Sequence, residues 1–419
     1  MSHWRIKLSI FLNYFVFAIL LNSVGTVILQ VQHNFGVTES AASILEAFKD
    51  LSIALISFLV ASYIVRIGYR NSMLIALGFI SVVCLLMPSL SSFWATKLLF
   101  AATGTSFALI KVSVYSTIGI ITDNRKDHAS LMNFIESFFM VGILTGNFIF
   151  SFFVSDHSPQ STEWFKVYYL LGGITIVAFL LLWSTSLDES AVKAGEPKPM
   201  AKEFVDMFRL MLMPLVLVFV ISAFIYVLIE QSIMSWLPTF NSKVLNLPTS
   251  LSIQMGSILA ASTAVGRFGA GIALRKIKWF FVLVICLLAA AGLVLVAIPL
   301  AEPSHHEVTG WGSAPLGAFV FPLIGLFLAP IYPAINSVIL SALPARQHGA
   351  MSGLIVIFSA LGGTTGSIIT GHIFEAYGGQ TAFYFSLVPI TILMICLFLL
   401  NRLQKKSETV VPFTRSAGH

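Results

Sequence analysis

The sequence predicts an all-α membrane protein, with twelve transmembrane helices in two six-helix pseudo-symmetric bundles. Three observations lead there: a shortage of charge, apolar runs of about twenty residues that recur along the chain, and a likeness between its halves. Of the 419 residues, 57% are hydrophobic and 10% charged, and the mean hydropathy is +0.91. A soluble protein of this size carries about 25% charge. The formal net charge is +6, but the basic residues are scattered through short connecting segments and form no face for nucleic acid. The three cysteines, Cys84, Cys286 and Cys396, each lie inside an apolar run, so neither a disulfide framework nor a metal site follows.

The expected spans are 8–30, 40–64, 71–92, 95–121, 127–152, 166–187, 209–236, 249–273, 279–300, 315–341, 347–374 and 379–402. Each is long enough to cross about 30 Å of hydrocarbon as a helix. The first shows no signal-cleavage site and is expected to be retained. Lys and Arg set the orientation. Eighteen of the 24 basic residues fall in one set of connecting segments and termini, from Arg5 and Lys7 to Arg402, Lys405, Lys406 and Arg415. The opposite set holds only Lys97, Lys166 and Lys243. Both termini are therefore expected in the cytoplasm, with the chain multi-pass in the plasma (inner) membrane. Residues 1–187 would form the N-terminal bundle, 188–208 a polar cytoplasmic linker, 209–404 the C-terminal bundle and 405–419 a cytoplasmic tail.

The halves match in placement. Gly142-x-x-x-Gly146 in span five stands opposite Gly362-x-x-x-Gly366 in span eleven, and Arg125 and His128 stand opposite Arg346 and His348. Glycines four apart permit close helix contact. Duplicated six-span halves are the mark of carriers that alternate access to a central site.

These features resemble the major facilitator superfamily over nearly the whole chain. Its signature between spans two and three, Gly-x-x-x-Asp-Arg-x-Gly-x-basic, is similar to Ala61-x-x-x-Val65-Arg66-Ile67-Gly68-Tyr69-Arg70. The Gly and Asp are replaced; Arg66, Gly68 and Arg70 remain, with gating or structural roles implied. Phe327-Leu-Ala-Pro-Ile-Tyr-Pro-Ala-Ile-Asn336, Gly349-Ala-Met-Ser-Gly353 and Ile229-Glu-Gln-Ser-Ile-Met-Ser-Trp-Leu-Pro238 resemble the fucose–proton symporter branch. That branch has acids in spans one and four; here span one has Asn13 and Asn22 and span four has Lys111. The resemblance implies that spans one, four, seven and ten line a central cavity. Substrate contact is then expected from Lys111, Glu230, Gln231, Asn13, Asn22 and Tyr332.

Inside the spans stand four carboxylates, Glu46, Asp50, Glu136 and Glu230, against three cations, Lys49, Lys111 and Arg267. Charges in a bilayer are costly and usually face partners or a wet cavity. Pairing each cation with one acid leaves a carboxylate over, which suits proton coupling; Asp50, Glu46 and Glu136 are the candidates. Lys111 and Glu136 both lie about 15 Å deep at 1.5 Å per residue. They are either an ion pair or a substrate ammonium with a nearby acid. Glu46, Lys49 and Asp50, at i, i+3 and i+4, share one helix face; Glu46 could alternatively snorkel to the outer surface. Lys49 and Arg267 are assigned gating or structural roles, Arg267 against span five. His305-His306-Glu307 is a weak metal candidate in an outer loop, a solvated loop being the simpler reading.

No phosphate-binding loop, dinucleotide fingerprint or hydrolase motif is found. No enzyme, cofactor or metal is expected, and the energy must come from a gradient. The expectation is a monomeric secondary transporter, proton-coupled, for a small polar solute that is anionic or sugar-like. The alternatives are a proton-driven exporter of metabolites or drugs, and a membrane receptor or scaffold that transports nothing.

Overall fold

The computed structural model describes residues 4–61, 64–122, 125–187, 189, 200–301, 308–343 and 347–410. All regular structure among them is helical. The main helices are α1 (Trp4–Asn22), α2 (Val24–Phe35), α3 (Ile44–Ala61), α4 (Tyr69–Leu86), α5 (Phe93–Ile121), α6 (Arg125–Ser151), α7 (Val167–Trp183), α8 (Met200–Met211), α9 (Pro214–Met234), α10 (Gly256–Ala273), α11 (Trp279–Ala297), α12 (Ile331–Ala342), α13 (His348–Tyr377) and α14 (Leu387–Val410).

Ten helical segments among the described residues are long and apolar enough to cross a membrane. The expectation from sequence was twelve. The two that fall short by composition are α3 and α10, each 18 residues long. The reason is visible in their side chains. Helix α3 carries Glu46, Lys49 and Asp50, and α10 carries Arg267 among serines and glycines. Part of the expected linker is helical, since α8 covers Met200–Met211; positions 188 and 190–199 lie outside the described residues, as do His305, His306 and Glu307.

The apolar surplus of the sequence goes to two places. One is a continuous core of residues such as Tyr14, Phe17, Phe100, Phe219, Trp236 and Phe240. The other is the outer surface, where Phe152 (82% exposed) and Phe268 (74%) point away from the protein, as expected for side chains that meet lipid. Ser23 separates α1 from α2, and its hydroxyl donates to the Leu20 carbonyl oxygen at 2.8 Å. Such back-bonding bends helices.

The glycine pairs place their helices in contact. A Cβ at Gly142 would meet the Phe15 carbonyl oxygen at 2.6 Å, and one at Gly146 would meet Ile19 Cγ2 at 3.3 Å. Across the chain, Gly362 lies against the Phe224 carbonyl and Gly366 against that of Leu228. So α6 sits on α1, and α13 on α9, each through one Gly-x-x-x-Gly face.

The two ends of the bundle differ. At the end far from the termini, the segments before and after the connector are clamped together. Glu39 Oε1 accepts from Lys243 Nζ at 2.5 Å, and Glu375 Oε2 accepts from the Ser40 amide at 2.9 Å. Asp156 accepts from the Ser250 amide (2.8 Å) and hydroxyl (2.5 Å). Gln254 donates to Ser151 Oγ (3.1 Å) and accepts from Trp311 Nε1 (2.8 Å). At the end carrying the termini the halves part around a cavity of about 1200 Å³.

Candidate functional site

The cavity draws walls from both halves. Ser57, Phe58, Lys111 and Tyr115 come from α3 and α5; Tyr332, Asn336 and Val356 come from α12 and α13; Met207, Arg209 and Leu210 on α8 stand near its mouth. Lys111 is ten residues from the end of α5 and Tyr332 ten from the end of α12, so both lie about 15 Å from that face at 1.5 Å per residue. Lys111 is exposed to the cavity. Its ammonium lies 5.9 Å from the centre of the Phe107 ring.

Of the two readings of Lys111 and Glu136, the ion pair is not formed among the described residues, although the two lie within electrostatic reach. Instead Glu136 Oε1 accepts a hydrogen bond from the Tyr115 hydroxyl at 2.9 Å. Tyr115 stands four residues after Lys111, so both project from one face of α5. The spacing alone could have singled out this tyrosine. Tyr332 stacks on Tyr226 with ring centres 5.4 Å apart, and its hydroxyl shares a 2.8 Å hydrogen bond with Ser359.

Beyond the cavity, towards the far end, is a second polar layer. Lys49 is gripped by Glu46 on one side and reaches Asp50 Oδ1 at 3.5 Å on the other. Glu46 is 0% exposed. It does not snorkel, because its other oxygen accepts a 2.7 Å hydrogen bond from Ser235 Oγ in the opposite half. Asp50 Oδ2 lies where a side chain at Gly363 would stand, and Gln231 Cγ is 3.2 Å from the same point. The triad of α3 is thus pressed against α9 and α13. Glu230 accepts from the Tyr226 hydroxyl at 2.9 Å and lies within electrostatic reach of both Arg267 and Lys49.

The other expected residues are scattered around these two layers. Asn13 is 0% exposed and lies in the wall between helices, off the cavity; its amide atoms have no hydrogen-bond partner among the described residues. Asn22 donates to the Ala18 carbonyl oxygen at 2.8 Å and, with Gln231, borders a small void of about 30 Å³. Arg267 is exposed, with Nη1 3.8 Å from Met140 Sδ on α6, which is part of span five. The Arg66 side chain lies outside the described residues.

Gly68 and Arg70 belong to a staple at the termini end. Gly68 has φ +90° and precedes α4, a backbone state that favours glycine. Glu189, just past α7, accepts from the amides of Tyr69 (3.1 Å) and Arg70 (2.8 Å). Arg70 Nη2 donates to the Trp183 carbonyl oxygen at 2.9 Å. An anion therefore caps the start of α4, and a cation caps the end of α7. Nothing in the sequence pointed to Glu189, since an acid in a polar linker looks solvated.

A helical bundle closed at one end and open at the other, with a large cavity holding a central ammonium, has the fold of a membrane transporter. The chain belongs to the Major Facilitator Superfamily, whose sequence profile matches residues 8–363 and 308–416. It is 22% identical over 273 residues to the Protein TsgA homolog of Buchnera aphidicola subsp. Baizongia pistaciae (strain Bp), a match spanning 64% of this chain and 62% of that relative's length. In fold it is similar to a bacterial homolog of the human lysosomal transporter Spinster in an inward-facing, occupied conformation, with TM-score 0.75, 15% identity, and 97% and 99% of the two chains covered. It is also similar to the E. coli fucose:proton symporter, with TM-score 0.62, 14% identity, and 97% and 99% covered.

Proposed function

We propose that the protein is a secondary active transporter that moves a small polar organic solute, anionic or sugar-like, by alternating access, in symport with protons. The observation that carries this reading is the asymmetry of the bundle. The far end is tied shut by contacts between the halves, while the other end opens into a cavity that reaches Lys111. Residues 1–187 and 209–404 act as two six-helix bundles related by a pseudo-two-fold axis, with α3 and α10 completing twelve spans. The matched glycine contacts of α6 on α1 and of α13 on α9 support that symmetry. The distribution of basic residues supports a reading in which the termini, and so the open cavity, lie on the cytoplasmic side of the plasma (inner) membrane. In this reading Lys111 meets the substrate, Tyr332 lines its path, and Glu230 and Gln231 meet the solute as the far end opens. Asp50, Glu46 and Glu136 carry the proton, while Lys49, Gly68, Arg70 and Arg267 hold or gate the bundles.

The test is uptake by vesicles reconstituted with the purified protein under an imposed proton gradient, across sugars, nucleosides and organic acids. Uptake that follows an inward proton gradient and collapses with a protonophore is expected. Accumulation driven against the proton flow in inverted vesicles would mark an exporter. If Lys111→Met and Glu136→Gln each leave uptake and its pH dependence intact, the assignment fails.

A further inference from the structure

Among the described residues, the charges that line the cavity are of one sign. Lys111 and Arg209 are the charged residues that line it among the described residues, and both are cations. The acids of the spans are engaged elsewhere: Glu46 and Asp50 share Lys49, Glu136 takes the Tyr115 hydroxyl, and Glu230 takes that of Tyr226. Among the described residues the Lys111 ammonium has neither an ion pair nor a hydrogen-bond acceptor, only the distant face of Phe107. An ammonium held at this depth calls for a counter-charge; Glu136 acts on it through space, but no described residue meets it at bonding distance. The Tyr115 and Tyr332 hydroxyls are already hydrogen-bonded. Asn336 and Gln347, also in the lining, each keep a side-chain oxygen with no partner among the described residues, but neutral oxygens do not answer the charge of Lys111. Phe58, Val112, Leu340 and Ile355 give the lining apolar surface.

Resting on the transporter reading above, we infer that the cavity takes an organic monoanion: a carboxylate set on Lys111 with an apolar or aromatic body along Tyr332 and Phe58. Arg209, on the amphipathic helix at the mouth, draws the anion in. A single ammonium at depth matches a single negative charge.

Two measurements on the full chain in detergent test this. The first is equilibrium binding of 3-phenylpropanoate, its neutral amide and D-xylose. The carboxylate is expected to bind at least tenfold more tightly than the amide or the sugar. Lys111→Met is expected to weaken it at least tenfold, and Lys97→Met, at the far end of α5, to leave it unchanged. No binding of the carboxylate, equal binding of the amide or the sugar, or full binding by Lys111→Met overturns the inference. The second needs no ligand. Removing a charge that no described residue bonds, by Lys111→Met, should raise the melting temperature of the empty protein, whereas a fall of several degrees would show Lys111 to be a structural partner of Glu136. Carboxylate binding without uptake in vesicles would sink the transporter reading and keep the anion site. D-xylose uptake without carboxylate binding would do the reverse.

Discussion

Lys49 is the hinge of the charge balance in α3. Two carboxylates lie within one helical turn of each other, and both are more than nine-tenths buried. Only the ammonium between them keeps the arrangement tolerable. Removing one partner from a buried ion pair typically costs about 3 to 5 kcal/mol. Lys49→Met is therefore expected to destabilise the protein by about that amount, or to abolish its insertion, as read by yield and detergent melting. Asp50→Asn leaves Glu46 and Lys49 as a balanced pair. It should fold normally, yet flatten the pH dependence of uptake if Asp50 is the proton carrier. A variant that keeps the full pH response would remove Asp50 from that role. The i, i+3, i+4 spacing made the cluster legible from sequence. Its partners, Ser235 just past α9 and Gly363 on α13, were not legible, because they lie nearly two hundred or more residues away and carry no charge.

The elements were legible wherever burial in lipid dictates composition, which is why ten segments stand out by length and apolarity. Helices α3 and α10 escape the same criterion because they spend apolar positions on polar ones that meet other helices. The staple at the start of α4 shows the limit in another way. A capping carboxylate can come from anywhere in the chain, and here Glu189 comes from the connector, 119 and 120 residues from the amides it serves. It stands where the superfamily signature, lacking its acid at Val65, offers no anion to this loop. Loss of a cap of this kind costs roughly 1 kcal/mol. Glu189→Ala should lower stability by that order, measured by denaturant unfolding in mixed micelles. Glu189→Asp should recover part of the loss. No change in either variant would mean that the Tyr69 and Arg70 amides find water instead, and that the connector does not hold α4.

At the scale of the whole molecule, the alternating-access reading makes the far end a door, and a door can be bolted. Glu39 and Lys243 join the two halves there, with side chains 15% and 37% exposed, so reagents can reach them. A single partly exposed salt bridge contributes about 0 to 1 kcal/mol. Neutralising it by Lys243→Gln would shift the balance between open and closed states only a few-fold, too little to decide the matter. A covalent link decides it. In a variant whose native cysteines are replaced and which carries Glu39→Cys and Lys243→Cys, a short bifunctional thiol reagent should close the far end permanently. Uptake should then stop and return when the reagent is cleaved by a reductant. The open cavity lies at the other end, so ligand binding measured in detergent should survive the bolt. Transport at the unbolted rate by fully cross-linked protein would mean that the halves do not separate between the segment before α3 and the segment after α9. The solute would then need another route, and the clamp of Glu39, Ser40, Asp156 and Ser250 would be a fixed seam of the fold.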